Sequence, residues 1–195
     1  MPGARYSRTM KARQPFHNAI VGAILVIALG CGPAAAQSAG LDDLFARLKE
    51  ADDATAVRIE HQIEAEWSKS GSASCDLLLE RGRKALEAGD TALAIQHLTA
   101  LVDHAPDFAE GWNARATAYY LAGQFGPSIA DVGRVLTLNP RHFGALAGLG
   151  TMLEAMERRE EALKAYRAAL AIHPHFQAVE QAVKRLEAKS AGQEI

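Results

Sequence analysis

A chain of 195 residues with 21 Lys plus Arg against 23 Asp plus Glu has a formal charge of −2. It therefore has no basic field of the kind that draws nucleic acid to a protein surface. The length suits one hydrophobic core.

The first 18 residues carry Arg5, Arg8, Lys11 and Arg13 and no acid. They lead into an apolar run over residues 19–29, then small residues ending in Ala34-Ala35-Ala36 before Gln37. A basic segment, a short apolar segment and an A-x-A site in that order read as a secretory signal peptide over residues 1–36. The run is short for a membrane span and soon followed by Pro33, which leaves an uncleaved signal serving as a membrane anchor as the lesser alternative. Ala28-Leu29-Gly30-Cys31 offers an alternative, a loose lipoprotein cleavage box that would anchor the chain through a lipidated Cys31. The pattern looks bacterial, which places the chain in the periplasm. Removing residues 1–36 lowers Lys plus Arg from 21 to 17 and takes the formal charge to −6. Only Cys75 then remains, so no intramolecular disulfide can form, and it reads as a small buried apolar residue.

Downstream, Leu41, Leu44, Phe45 and Leu48 mark one helix, and Ala56, Ile59, Ile63 and Trp67 a second that ends at Ser70-Gly71-Ser72. Residues 37–74 thus read as a helical hairpin, a degenerate repeat or a cap on the N-terminal end of a helical stack.

Pro106, Pro140 and Pro174 then recur every 34 residues, a fixed period that marks a stacked helical repeat. The units are residues 75–108, 109–142 and 143–176. Apolar residues recur at helical spacing in each: Leu78, Ala85, Ala94, Leu98 and Leu101; Trp112, Tyr119, Ile129, Val132 and Val135; Leu146, Leu149, Leu153, Ala162, Tyr166 and Ala169. Gly89-Asp90 and Gly123-Gln124 split the first two units into helix pairs, glycine suiting a positive φ after a helix. Unit three has Glu157-Arg158 there, which predicts a turn built another way. The closing prolines end each second helix, and Pro127 falls in a first helical turn, where a missing N–H costs little. Phe176, Val179, Val183 and Leu186 continue an amphipathic pattern through a capping helix in residues 177–195, with residues 190–195 frayed.

The units resemble the tetratricopeptide repeat family, with its W-x2-L-G-x2-Y, A-x3-F and P pattern. Unit three carries Leu146-x2-Leu149-Gly150-x2-Leu153, Ala162-x3-Tyr166 and Pro174. Unit two keeps Trp112 and Tyr119, with Arg115-Ala116 for Leu-Gly and Ser128 for Ala. Unit one keeps Gly82, Ala94 and Leu98, with Arg81 for Leu. The resemblance implies an all-α fold, a right-handed superhelical stack of antiparallel helix pairs. It also implies that first helices line a concave groove through positions 2, 5, 9, 12 and 13 of each unit. Those positions hold Asp76, Leu79, Arg83, Leu86 and Glu87; Glu110, Asn113, Thr117, Tyr120 and Leu121; Gly144, Ala147, Thr151, Glu154 and Ala155. From them Leu79, Arg83, Leu86, Asn113, Thr117, Tyr120, Leu121 and Thr151 are the candidate partner-binding residues, with Arg83 the groove cation. Some family members grip a C-terminal carboxylate with Lys, Arg and Asn on this face; only Arg83 and Asn113 match here, which disfavours a full clamp. The competing reading is a groove filled by the chain's own N- or C-terminal helix.

Catalytic motifs are missing: no phosphate loop, H-E-x-x-H, nucleophile elbow or Cys-x-x-Cys occurs. Gly144-x3-Gly148-x-Gly150 lies inside a helix and reads as close packing. His97 and His104 stand two turns apart, roughly 10 Å along a helix, too far for one ion. His173 and His175 flank Pro174 and are expected to face solvent. The sequence therefore predicts a non-enzymatic interaction module without cofactor or metal, binding a protein or peptide. The alternative is an envelope assembly subunit held by lipid or by a complex.

Overall fold

The computed structural model describes residues 33–191. Among them every regular element is a helix: α1 (Pro33–Glu50), α2 (Asp53–Trp67), α3 (Ala73–Glu87), α4 (Thr91–His104), α5 (Ala109–Leu121), α6 (Phe125–Leu138), α7 (Phe143–Ala155), α8 (Arg159–Ile172) and α9 (Gln177–Ala191). Residues 1–32 of the expected leader lie outside the described residues, and α1 opens at Pro33 with residues 33–36 as its first turn. Helix α9 runs through Ala191, past the point where fraying was expected.

Each repeat closes its inner turn with the same backbone bond. Asp90 N donates to Ala85 O at 2.9 Å, Gln124 N to Tyr119 O at 2.8 Å and Arg158 N to Leu153 O at 2.8 Å. The residue before each donor has a positive φ: Gly89 at 76°, Gly123 at 72° and Glu157 at 60°. The third turn is thus built like the others, correcting the sequence expectation. Glu157 occupies a left-handed conformation that favours glycine.

Within a repeat the two helices approach by volume matching. A Cβ on Gly82 would stand 2.5 Å from Leu98, and one on Gly150 would stand 2.5 Å from Tyr166. Unit two has Ala116 at that place and the smaller Val132 opposite, both buried in one cluster. Ser128, in the alanine slot, donates to Ala116 O at 2.6 Å. Arg115, in the leucine slot, makes a bidentate pair with Asp131 (2.7 and 2.9 Å) and lies over the Trp112 ring at 4.8 Å. Trp112 itself is half-buried, donating from Nε1 to Pro106 O at 2.9 Å. Cys75 is buried with Leu79 and Leu98 in the first core.

Between repeats, positions 3, 6 and 10 of the inner helix receive the preceding pair. Gly111, Ala114 and Ala118 do so in α5, and Val179, Ala182 and Leu186, buried in one cluster, continue the pattern in α9. The same positions of α3 hold Leu77, Glu80 and Lys84, all exposed, with Lys84 Nζ 2.5 Å from Glu80. A charged pair there leaves nothing for another helix pair to bury.

The hairpin α1–α2 accordingly does not cap that end. It lies across the connectors that start the inner helices. Phe45, Leu48, Ala56, Ile59 and Ile63 form a cluster with Phe143, flanked by Trp67, Ile172 and Phe176. Polar contacts run along the same line: Asp42 with Arg141 (2.7 Å), Glu60 with His173 (3.2 Å) and Asp53 with His175 (3.0 Å). His173 is 1% exposed, so the expectation that these histidines face solvent is corrected by the hairpin that covers them.

A candidate partner groove on the inner face

Helices α3, α5, α7 and α9 present one face inward, and three cavities run along it. The first, about 430 Å³, lies between Trp67 and Ser68 of α2's end and Arg83, Glu110 and His142. Asn113 and Gly144 also border the second, about 180 Å³, which is walled by Ala116, Val132, Ala145 and Met152. Tyr120, Gly148 and Thr151 pass from the second to the third, about 640 Å³, which reaches Glu154, Tyr166, Phe176 and Arg185. The shared residues set the three cavities side by side as one channel-like row from α2 to α9.

The predicted groove residues divide on this surface. Asn113, Thr117, Tyr120 and Thr151 line the channel, the threonines exposed and the other two half-buried. Tyr120 packs on Phe125 with ring centroids 5.8 Å apart. Leu121 is 56% exposed at the end of α5. Leu79 is 2% exposed in the core, and Leu86 packs against the same cluster. Leu79 therefore belongs to the packing of α3, while Leu86 is half-buried at the edge of the same core. Gly144 and Gly148 are not close-packing glycines. A Cβ on Gly148 would meet nothing within 4 Å, whereas Gly150 does serve that role.

Arg83, the expected groove cation, is already paired within the chain. Its Nη2 donates to Glu110 Oε1 at 2.5 Å, and both terminal nitrogens reach Ser68 Oγ at 3.1 Å. Asn113 Nδ2 faces the same carboxylate at 3.3 Å. The two residues that resembled a carboxylate clamp thus hold a carboxylate of the chain itself. His142 completes the cluster. Its Nδ1 accepts from the Ala145 N–H at 3.1 Å, capping α7, so the ring proton sits on Nε2 and is donated to Glu110 Oε2 at 3.0 Å. Trp67 stacks on that imidazole at 4.3 Å. Burial pushes the Glu110 carboxyl up, but the hydrogen bond from His142 and the Arg83 guanidinium beside it outweigh that and hold the group below its ordinary value.

At the other end Arg185 Nη2 reaches both Glu154 oxygens at 3.0 and 2.9 Å. The Tyr166 hydroxyl donates toward Glu154 and Thr151, each at 3.2 Å. Burial is the main reason that phenol titrates above its ordinary value. Sequence reasoning missed Arg185 because it stopped the register at residue 176. Carried one period further, the same spacing puts Arg185 in α9 where Arg83 stands in α3. Trp67 and His142 carried no such signal, since they meet only through the folded hairpin. Among the described residues no group of His, Cys, Asp and Glu side chains could hold a metal ion.

Known proteins share this architecture. A tetratricopeptide repeat model matches residues 79–130 and 122–175. A TPR repeat-containing protein of Rhizobium etli is 38% identical over 153 residues, 78% of this chain and 75% of that protein. The first TPR domain of Spaghetti (RPAP3), solved with the HSP90 peptide SRMEEVD, is 25% identical with a TM-score of 0.59, covering 62% of this chain and 95% of that one. MamA covers 83% of this chain and 86% of its own at a TM-score of 0.57; at 21% identity it shares the fold alone.

Proposed function

The chain belongs to the tetratricopeptide repeat family, and on that footing we propose that it is a non-enzymatic interaction module of the bacterial periplasm that holds a segment of a partner protein in its inner channel. The observation that carries the reading is the row of adjoining cavities across α5, α7 and α9, lined midway by exposed Thr117 and Thr151 and by Tyr120. An extended segment suits such a surface, with apolar anchors and a few hydrogen bonds along it. The Spaghetti domain, of the same fold, takes a peptide.

Export is supported by the basic and apolar leader followed by Ala34-Ala35-Ala36. Cleavage after Ala36 would shorten α1 by four residues, while its packed residues begin at Leu41. N-terminal sequencing should find Gln37 first; a diacylated Cys31 would instead establish the lipid-anchored alternative. For the groove, Thr117→Trp and Thr151→Trp each place an indole in the channel from an exposed position. Both should keep full helicity and weaken capture of the partner from periplasmic extract by at least about 2 kcal/mol, the hot-spot scale. Undiminished capture would overturn the reading.

A further inference from the structure

The charges and the shape of the channel together define the segment it selects. Among the described residues that line the channel, the carboxylates Glu110 and Glu154 match the guanidiniums Arg83 and Arg185 one for one. Both guanidiniums are already paired, Arg83 with Glu110 and Arg185 with Glu154. At the α2 end, Glu64 adds another carboxylate, beside His61 at 3.4 Å. An acidic side chain or a free carboxyl terminus entering here would meet net negative potential and would have to break an existing pair to find a cation. A basic or uncharged segment meets neither obstacle.

The middle cavity supplies the apolar part of the selection. It is about 180 Å³, walled by Val132, Ala145 and Met152, and it exists because position 148 has no side chain. Where α5 and α9 use alanine at that register, Ala114 and Ala182 are buried against the preceding repeat, whereas a Cβ at 148 would touch nothing within 4 Å. The space is that of a single branched aliphatic side chain, and burying one in it would supply the apolar anchor of the complex.

We infer that the partner segment is uncharged or basic, inserts one aliphatic side chain between α5 and α7, and is selected at that point by Gly148. The inference rests on the groove reading and adds the chemistry of its ligand. Glu110 and Glu154 act as specificity residues by keeping the two inner guanidiniums from incoming carboxylates.

The test uses the full mature chain, immobilised, and three libraries of acetylated, amidated heptapeptides, randomised except for two fixed lysines, no charge, or two fixed glutamates. The lysine and uncharged libraries should be retained with Leu, Ile or Val enriched at one position, and the glutamate library at least about tenfold more weakly. Gly148→Leu should erase that enrichment, and Gly148→Ala should shift it toward smaller side chains. Both variants should keep their helical circular dichroism and melt no earlier, since a glycine inside a helix is replaced by better helix formers. Retention of the glutamate library as strongly as the others overturns the inference and leaves the groove reading standing. So does an aliphatic preference untouched by either Gly148 variant. Retention of none of the libraries by the unaltered chain overturns both.

Discussion

Glu157 and Glu110 show how much a single position contributes here. Glu157 sits at φ 60°, where the other two turns have glycine. A left-handed non-glycine residue costs roughly 1–2 kcal/mol, partly offset by the greater freedom a glycine would have when unfolded. Glu157→Gly should therefore raise stability by about 1 kcal/mol, seen as a higher melting temperature; a lower one would mean that the side chain, not the backbone, matters there. Glu110 is the reverse case, a buried carboxylate whose partners must stay. Its folded pKa lies below the unfolded value, so its contribution is complete above about pH 4.3 and disappears as pH falls through the lower folded value. Glu110→Gln should cost about 2 kcal/mol at pH 7, and the gap between variant and parent should close in acid. A gap that stays constant down to pH 3 would show that the carboxylate charge is not what holds Arg83 and His142.

Among the elements, the repeats were readable and the hairpin's position was not. Period, glycine turns and closing prolines are local features, and the helix pairs α3 to α8 lie between those marks. The hairpin's docking depends on Trp67 meeting His142 and Phe143, residues 75 and 76 positions away in sequence, and no periodicity encodes that. One sequence signal did exist. Glu80 and Lys84 stand where α5 has Ala114 and Ala118, a pattern that already forbids stacking on α3. Leu79 was misjudged for a related reason. Position 5 faces the groove in α5 and α7 as Asn113 and Ala147, but a leucine there folds back onto Leu98 and the first core. If the hairpin is strapped on chiefly through Trp67, Trp67→Ala should release it without unfolding the array. Amide exchange should then accelerate in α1 and α2 while α5 and α7 keep their protection. Uniform acceleration across all helices would show that the hairpin is part of one cooperative unit.

At the scale of the whole molecule, each helix pair of the solenoid leans on its neighbours, α9 packs on the last pair, and the polar face of α3 offers nothing for a further pair to bury. The hairpin closes one rim across the helix starts, so the channel is left as the concave surface open to a partner. The outer helices α6 and α8 present Ala130 and Ala168 to solvent, and neither residue lines the three cavities. The most direct test places a photo-crosslinking benzoylphenylalanine at Thr117 or Thr151 inside, and at Ala130 or Ala168 outside, in the exported full-length chain. Irradiation in cells should give the same partner adduct from both inner positions and none from the outer two. Adducts from Ala130 or Ala168, with none from Thr117 and Thr151, would contradict the account and move the working surface to the convex side.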